Sequence, residues 1–161
     1  MGAAGELLIG EAVRTLDERF RLSLPVELAG PLLAEGSKLV LAKERGGCLS
    51  LWSAAVWRPR LDAALDVLRT KLQAGLLAQR VGEVQQAGRL LSARHAAVSL
   101  AGRDRLVIPE GFRGFLGVEP GGDVVVVGAA VCVELWHPQA WQQVITAEMP
   151  DFRRRLDALT G

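Results

Sequence analysis

Apolar residues recur along much of this chain at a spacing of two, in short runs broken by Gly, Pro and charged residues, and this pattern predicts strands joined by tight turns. Leu8 to Leu16 suits an extended strand that Asp17-Glu18-Arg19-Phe20 interrupts as a turn. From Arg21 to Pro25 the alternation is clean, with Leu22 and Leu24 on one face and Arg21 and Ser23 on the other. Pro25 ends that strand, because it has no N–H for a ladder, and opens a short helix from Val26 to Ala34 that Gly36 closes. A third strand, Lys38 to Lys43, turns at Arg45-Gly46-Gly47 into a fourth, Cys48 to Trp52.

Between the fourth strand and Arg94 the period changes. Leu61, Leu65, Leu68 and Leu72, then Leu77, Val81, Val84, Gly88 and Leu91, fall at helical spacing and predict two helices with a break near Gly75. Pro59 predicts either a kink or a helix start after Arg58.

The strand pattern then returns. Ala96 to Leu100 and Arg105 to Ile108 read as strands around a turn at Ala101 to Asp104, and a short helix follows from Pro109 to Leu116. Asp123 to Val127 is apolar on both faces, as an interior strand would be, and Gly128-Ala129-Ala130 turns into a strand from Val131 to Trp136. His137-Pro138 opens a helix through about Ala147, and Asp151 to Leu159 forms a last, solvated one carrying Arg153, Arg154 and Arg155.

The return is a repeat. Arg21 and Arg105, Leu22 and Leu106, Leu24 and Ile108, and Pro25 and Pro109 each stand 84 residues apart, and so do CLSLW at Cys48 and CVELW at Cys132. Trp57 and Trp141 keep the same step. An offset held across separated blocks marks a tandem duplication. One unit of four short strands and a short helix is too small to cover its apolar faces, so the two copies are expected to pair about a pseudo-twofold axis and close a barrel. The expected segments are 1–57 for the first copy, 58–93 for a helical connector, 94–147 for the second copy and 148–161 for a C-terminal helix.

Composition narrows the function classes. Half of the 161 residues are hydrophobic and only 23% are charged, which is the range of a packed globular chain. Runs such as Val124 to Val127 are far shorter than the roughly 20 apolar residues of a membrane span. The start, MGAAGELLIGEAV, has no basic stretch ahead of its apolar residues, and Glu6 stands where a myristoylation signal after Gly2 wants Ser or Thr. A cytoplasmic protein is expected. Cys48 and Cys132 occupy matching places and read as small buried hydrophobes. His95 and His137 stand without ligand partners at metal spacing and read as surface or capping residues. No nucleophile elbow, phosphate loop, dinucleotide fingerprint or zinc-protease motif is present, so neither an enzyme nor a cofactor is expected.

The net charge of +1 does not by itself indicate a nucleic-acid binder, so any phosphate-binding surface must be local. Arg14, Arg19 and Arg21 surround the first turn, and Arg94, Arg103 and Arg105 surround the second. Guanidinium forks suit phosphate oxygens and guanine edges, and a β-ribbon is narrow enough for the major groove. From spacing alone, solvated turn arginines with local carboxylate partners are an equal reading. Asp17 is expected to shape its turn and to hold Arg21.

Two tandem copies of a strand, a D-x-x-x-R turn (Asp17 and Arg21), an apolar strand closed by Pro, and an L-W ending before a helix resemble the MraZ family. Those are bacterial transcriptional regulators related to the AbrB and SpoVT-type swapped-hairpin DNA-binding proteins. In the second copy Arg105 is kept and Ala101 replaces the aspartate; Phe20 and Asp104 stand where the family favours Gly, and Phe20 predicts a different shape for the first turn. The resemblance implies a mainly β chain with helices, folded as a double-split β-barrel from two AbrB-like repeats. It implies a DNA-binding repressor of the division and cell-wall gene cluster, acting at double-stranded DNA upstream of its own genes as a ring-shaped homo-oligomer on the nucleoid. Arg14, Arg19, Arg21, Arg103 and Arg105 would then meet the DNA, with Asp17 shaping the motif. The alternative is a protein-interaction, antitoxin-like module on the same barrel with weakened DNA binding.

Overall fold

The computed structural model describes residues 5–161, so Gly2 and the first residues of the N-terminal stretch lie outside the described residues. In chain order the elements are β1 (Leu8–Thr15), β2 (Arg21–Ser23), α1 (Val26–Leu32), β3 (Leu39–Arg45), β4 (Cys48–Ser53), α2 (Ala54–Gln73), α3 (Val81–Arg94), β5 (His95–Val98), β6 (Arg105–Val107), α4 (Glu110–Leu116), β7 (Asp123–Ala130), β8 (Val133–Trp136), α5 (Pro138–Glu148) and α6 (Phe152–Thr160). Each strand expected from the alternation is present.

Every described strand pair is antiparallel. Six strands form one sheet in the order β1-β7-β8-β4-β3-β5, and β2 and β6 form a separate two-stranded ladder. The first strand of each copy pairs with the hairpin of the other, β1 with β7 and β5 with β3. At the centre of the sheet Ser50 faces Glu134, and at the centre of the ladder Leu22 faces Leu106. Both pairs join residues 84 apart, so one pseudo-twofold axis runs through them.

The inward residues form one continuous core. Leu39, Leu41, Leu49, Leu51, Val124, Val126, Val133 and Leu135 point from one face of the sheet toward Leu22 and Leu106 of the ladder and Leu28, Leu32, Phe112 and Leu116 of α1 and α4. On the other face Cys48, Val125 and Trp136 pack with Ala140, Trp141 and Val144 of α5. The matching aromatic pairs Trp52–Trp57 and Trp136–Trp141 have ring centroids 5.5 and 5.6 Å apart, so each tryptophan that ends a fourth strand docks the helix after it. Both cysteines are free and buried, as expected, and burial first of all pushes the Cys132 thiol up to about 12 and the Cys48 thiol upward as well.

The expected closed barrel is not formed. The sheet ends at β1 and β5, and β2 and β6 pair only with each other over three residues. The proline after each short strand, Pro25 or Pro109, has no N–H to extend that ladder toward a sheet edge, and the turn before each strand diverts the chain.

The repeat is also less regular than its constant offset suggests. In the first hairpin Leu41 faces Leu51, in the second Val126 faces Leu135, so β3 and β7 correspond at a step of 85 while β4 and β8 correspond at 84. The first copy has an extra residue at the bulge between Lys43 and Arg45, and the second has one between α4 and β7. The two insertions cancel, which is why the step of 84 reappears at Cys132.

In the connector the break falls at Gly75, with φ 73°, a conformation glycine takes without strain. Of the two alternatives at Pro59, the start after Arg58 is not the one taken: α2 begins at Ala54 and carries Pro59 in its second turn, early enough to leave most of its hydrogen bonds intact. Gly128 is required by contact, since a Cβ there would stand 2.6 Å from the Leu8 carbonyl across the β1–β7 pair. No helix among the described residues is long and apolar enough to cross a membrane.

Candidate nucleic-acid interface

The register of the β2–β6 ladder decides what its outer face carries. Arg21 faces Val107, Leu22 faces Leu106 and Ser23 faces Arg105. Because side chains alternate, the two buried leucines point to the core and Arg21, Ser23, Arg105 and Val107 share the opposite face. Arg21 and Arg105 are diagonal neighbours on it, with Cα atoms ~7–8 Å apart for such a pair. Two arginines from sequence-distant turns thus share one face of a narrow ribbon, each guanidinium held at its own turn.

The turns are locked to the ladder symmetrically. The Ile108 N–H donates to Phe20 O at 2.8 Å and the Leu24 N–H donates to Asp104 O at 2.9 Å, each bond crossing from one copy to the other. Inside the turns one bond is still matched, from the Asp17 N–H to Arg21 O at 3.0 Å and from the Ala101 N–H to Arg105 O at 2.8 Å, and the others differ. In the first, the Phe20 N–H occupies Asp17 O at 3.0 Å, and the Arg21 N–H goes instead to Asp17 Oδ1 at 2.9 Å. The Arg19 N–H shares that oxygen at 2.8 Å, and Arg21 Nε donates to Asp17 Oδ2 at 2.8 Å. These bonds lower the Asp17 pKa below its ordinary 3.8, chiefly through the Arg21 backbone N–H, against the opposing effect of partial burial, with the Arg21 guanidinium and the Arg19 N–H adding to it. Asp17 therefore bonds the Arg19 and Arg21 N–H groups and the Arg21 guanidinium across the turn.

Phe20 adopts φ 58°, the left-handed conformation a glycine would take there. Such a backbone costs a non-glycine residue about 1–2 kcal/mol. Its ring packs against the core, and the Arg113 guanidinium lies 4.1 Å from the ring centroid, a contact that contributes about 0.5–2 kcal/mol.

In the second turn Ala101 offers no carboxylate. The Arg105 N–H reaches Ala101 O at 3.3 Å, and Arg105 Nε is held by Gly102 O at 3.1 Å. Arg103 and Asp104 are both left-handed, at φ 64° and 55°. The guanidinium of Arg105 thus has a neutral carbonyl as its anchor where that of Arg21 has a charged carboxylate.

The remaining arginines fall outside the ladder face. Arg19 and Arg103 are exposed at the tips of the two turns. Arg14 lies on β1 opposite Val124, three residues ahead of Asp17, and donates to the carbonyl of its neighbour Val13 at 3.2 Å. Arg94 is not part of the second turn: at the end of α3 it donates to Lys43 O and to the Glu44 carboxylate and stacks near Trp57. Arg113, which the sequence reading did not single out, is brought to the first turn by tertiary structure alone; no local spacing pairs it with Phe20. His137 caps α5 by accepting the Gln139 N–H at 3.0 Å. Among the described residues no three His, Cys, Asp or Glu side chains are grouped to hold a metal ion.

A profile of the family described as "MraZ protein, putative antitoxin-like" matches residues 94–158, the second copy and the helices after it. Relatives align over most of the chain. A protein of Treponema denticola named Transcriptional regulator MraZ is 28% identical over 152 residues, covering 94% of this chain and 96% of its own. Proteins of the same name from Roseiflexus castenholzii and Thermomicrobium roseum are 29% and 24% identical, covering 88% and 95% of this chain and 88% and 99% of their own. With the doubled turn-and-strand motif on one pseudo-symmetric body, a profile match across the second copy and relatives of one name along nearly its whole length, the chain is similar to the MraZ family from end to end.

Proposed function

We propose that this protein is a sequence-specific, DNA-binding transcriptional regulator. The observation that carries the reading is the shared outer face of β2 and β6, where Arg21 and Arg105 stand as diagonal neighbours over a buried Leu22–Leu106 pair. A two-stranded ribbon fits a major groove, and guanidinium forks pair with phosphate oxygens and guanine edges. Arg19 and Arg103 at the turn tips and Arg14 on β1 are proposed to meet phosphates on either side. The relatives' name supports the regulatory role. As the family resemblance implies, the regulator acts as a repressor at duplex DNA upstream of the division and cell-wall gene cluster.

With a net charge of only +1 and Asp17, Glu18 and Asp104 beside the arginines, one ladder binds weakly. A ring-shaped homo-oligomer supplies the missing affinity, because each further ladder meets the same duplex at high effective concentration. Titration of labelled duplex from the region upstream of the gene, at several salt concentrations, tests this. Binding is expected to weaken steeply with salt, and Arg21→Ala and Arg105→Ala each to lower affinity tenfold or more, on the order of one lost guanidinium contact per subunit. Indifference of both variants would refute it.

The near-neutral charge and the antitoxin-like description of the matching family favour a second reading, a protein-interaction module. Stoichiometric co-purification of a protein partner, with no retention on DNA, is its signature.

A further inference from the structure

Arg113 belongs to α4 of the second copy, yet its guanidinium covers the Phe20 ring of the first turn at 4.1 Å. Its Nε donates to Ile108 O at 2.9 Å, and the Ile108 N–H donates in turn to Phe20 O at 2.8 Å. One side chain therefore steadies Phe20 twice, at the ring directly and at the carbonyl through the end of β6. Phe20 is the residue that needs steadying, since a phenylalanine at φ 58° relaxes toward extended or helical backbone unless its surroundings forbid it. Arg21 follows it directly. The peptide plane between them sets the direction of the Arg21 N–H, which meets Asp17 Oδ1 at 2.9 Å only while Phe20 keeps its left-handed conformation. The second turn has no such device: the positions 84 residues from Arg113 and Phe20 are Ala29 and Asp104.

We propose that Arg113 is a positioning residue for the first turn: by stacking on Phe20 and holding Ile108 O, it keeps Phe20 left-handed and so presents Arg21 and Asp17 as one preorganised unit. The functional consequence rests on the DNA-binding reading above; the brace itself does not. Arg113 acts through Phe20.

The test compares Arg113→Ala and Arg113→Lys, each alone and in a Phe20→Gly background, with thermal unfolding followed throughout. The first measurement needs no DNA: the Asp17 carboxyl is titrated by NMR. In the parent protein it titrates below the ordinary 3.8, mainly because of the Arg21 N–H. Arg113→Ala is expected to return it toward that value while unfolding stays cooperative, and Arg113→Lys to restore part of the depression, because an ammonium also sits over a ring. In the Phe20→Gly background Arg113→Ala is expected to change nothing, since glycine takes the left-handed conformation unaided.

The second measurement is duplex affinity. Arg113→Ala is expected to weaken it roughly fivefold in the parent and not at all in the glycine background. An unmoved Asp17 titration in Arg113→Ala overturns the proposal, as does an equal loss in both backgrounds. Should Arg113→Ala fail to fold, Arg113→Lys decides, because it keeps the stem and charge but loses the fork to Ile108 O: an Asp17 titration identical to the parent's then overturns the brace. If no variant and no parent binds duplex while Asp17 responds as expected, the DNA reading fails and the brace stands.

Discussion

In the first turn one carboxylate holds Arg21 at both its backbone N–H and its guanidinium, whereas in the second Arg105 is held at those two points by the carbonyls of Ala101 and Gly102. The strands that follow the turns are equivalent, and so are the cross-copy bonds from Ile108 and Leu24 that anchor them. The comparison teaches that the frame and the turn are separable. In each copy the ladder has three residues, an inward leucine and a carbonyl that accepts the cross-copy bond, and two differently bonded turns deliver them. Freed from the frame, one copy keeps a fixed guanidinium and the other a less constrained one. A fixed fork suits a base edge and a freer one suits phosphates, so the two copies are expected to contribute unequally to sequence preference.

Asp17→Asn attacks that difference most directly. It keeps an acceptor for the Arg21 N–H but removes the negative charge that faces Nε, and duplex affinity is expected to fall roughly tenfold with the preference for the cognate sequence falling alongside. Ala101→Asp, measured in the same anisotropy titration, is expected to restore nothing in the second turn, where two consecutive left-handed residues set a different path. A comparable gain there would show that the turns are interchangeable.

A smaller effect is expected from relieving backbone strain, with opposite sign in the two turns. Arg103→Gly raises stability by about 0.5–1 kcal/mol, because φ 64° costs glycine nothing and the exposed arginine packs on little. Phe20→Gly gains the same relief but loses the ring against the core and under Arg113, for a net loss of about 1–2 kcal/mol. Urea unfolding of both variants measures this; equal signs would remove the distinction.

The smallest effect is in pH. A depressed folded-state carboxyl contributes stability that is complete above its unfolded value and lost as pH falls through the folded one. For Asp17 that window lies below the ordinary 3.8. The Arg21 Nε–H resonance is expected to shift as the clamp is protonated in that range, while that of Arg105, bonded to a carbonyl, moves far less.

Much of this was legible from residue order. The alternation around Leu22 and Leu24, the glycine and proline punctuation and the step of 84 foretold nearly every element and the duplication. Asp17 and Arg21 at a spacing of four foretold the clamp. What escaped was anything joining residues across the copies. Phe20 looks like a poor occupant of its place until Arg113 and the core are seen around it. The slip to 85 in β7 is hidden because an insertion before the strand offsets a bulge after its counterpart.

The sequence by itself determined the strands, the helices, the duplication and the clamp in the first turn, because each depends on periodicity or on contacts within a few residues. Tertiary structure decided that the sheet stays open, that each first strand joins the other copy's hairpin, that Arg21 and Arg105 share one face, and that Arg113 steadies Phe20. Those outcomes turn on pairing register and on packing between residues far apart in the chain, where a shift of one position reverses which face a side chain takes, and no local pattern encodes that choice.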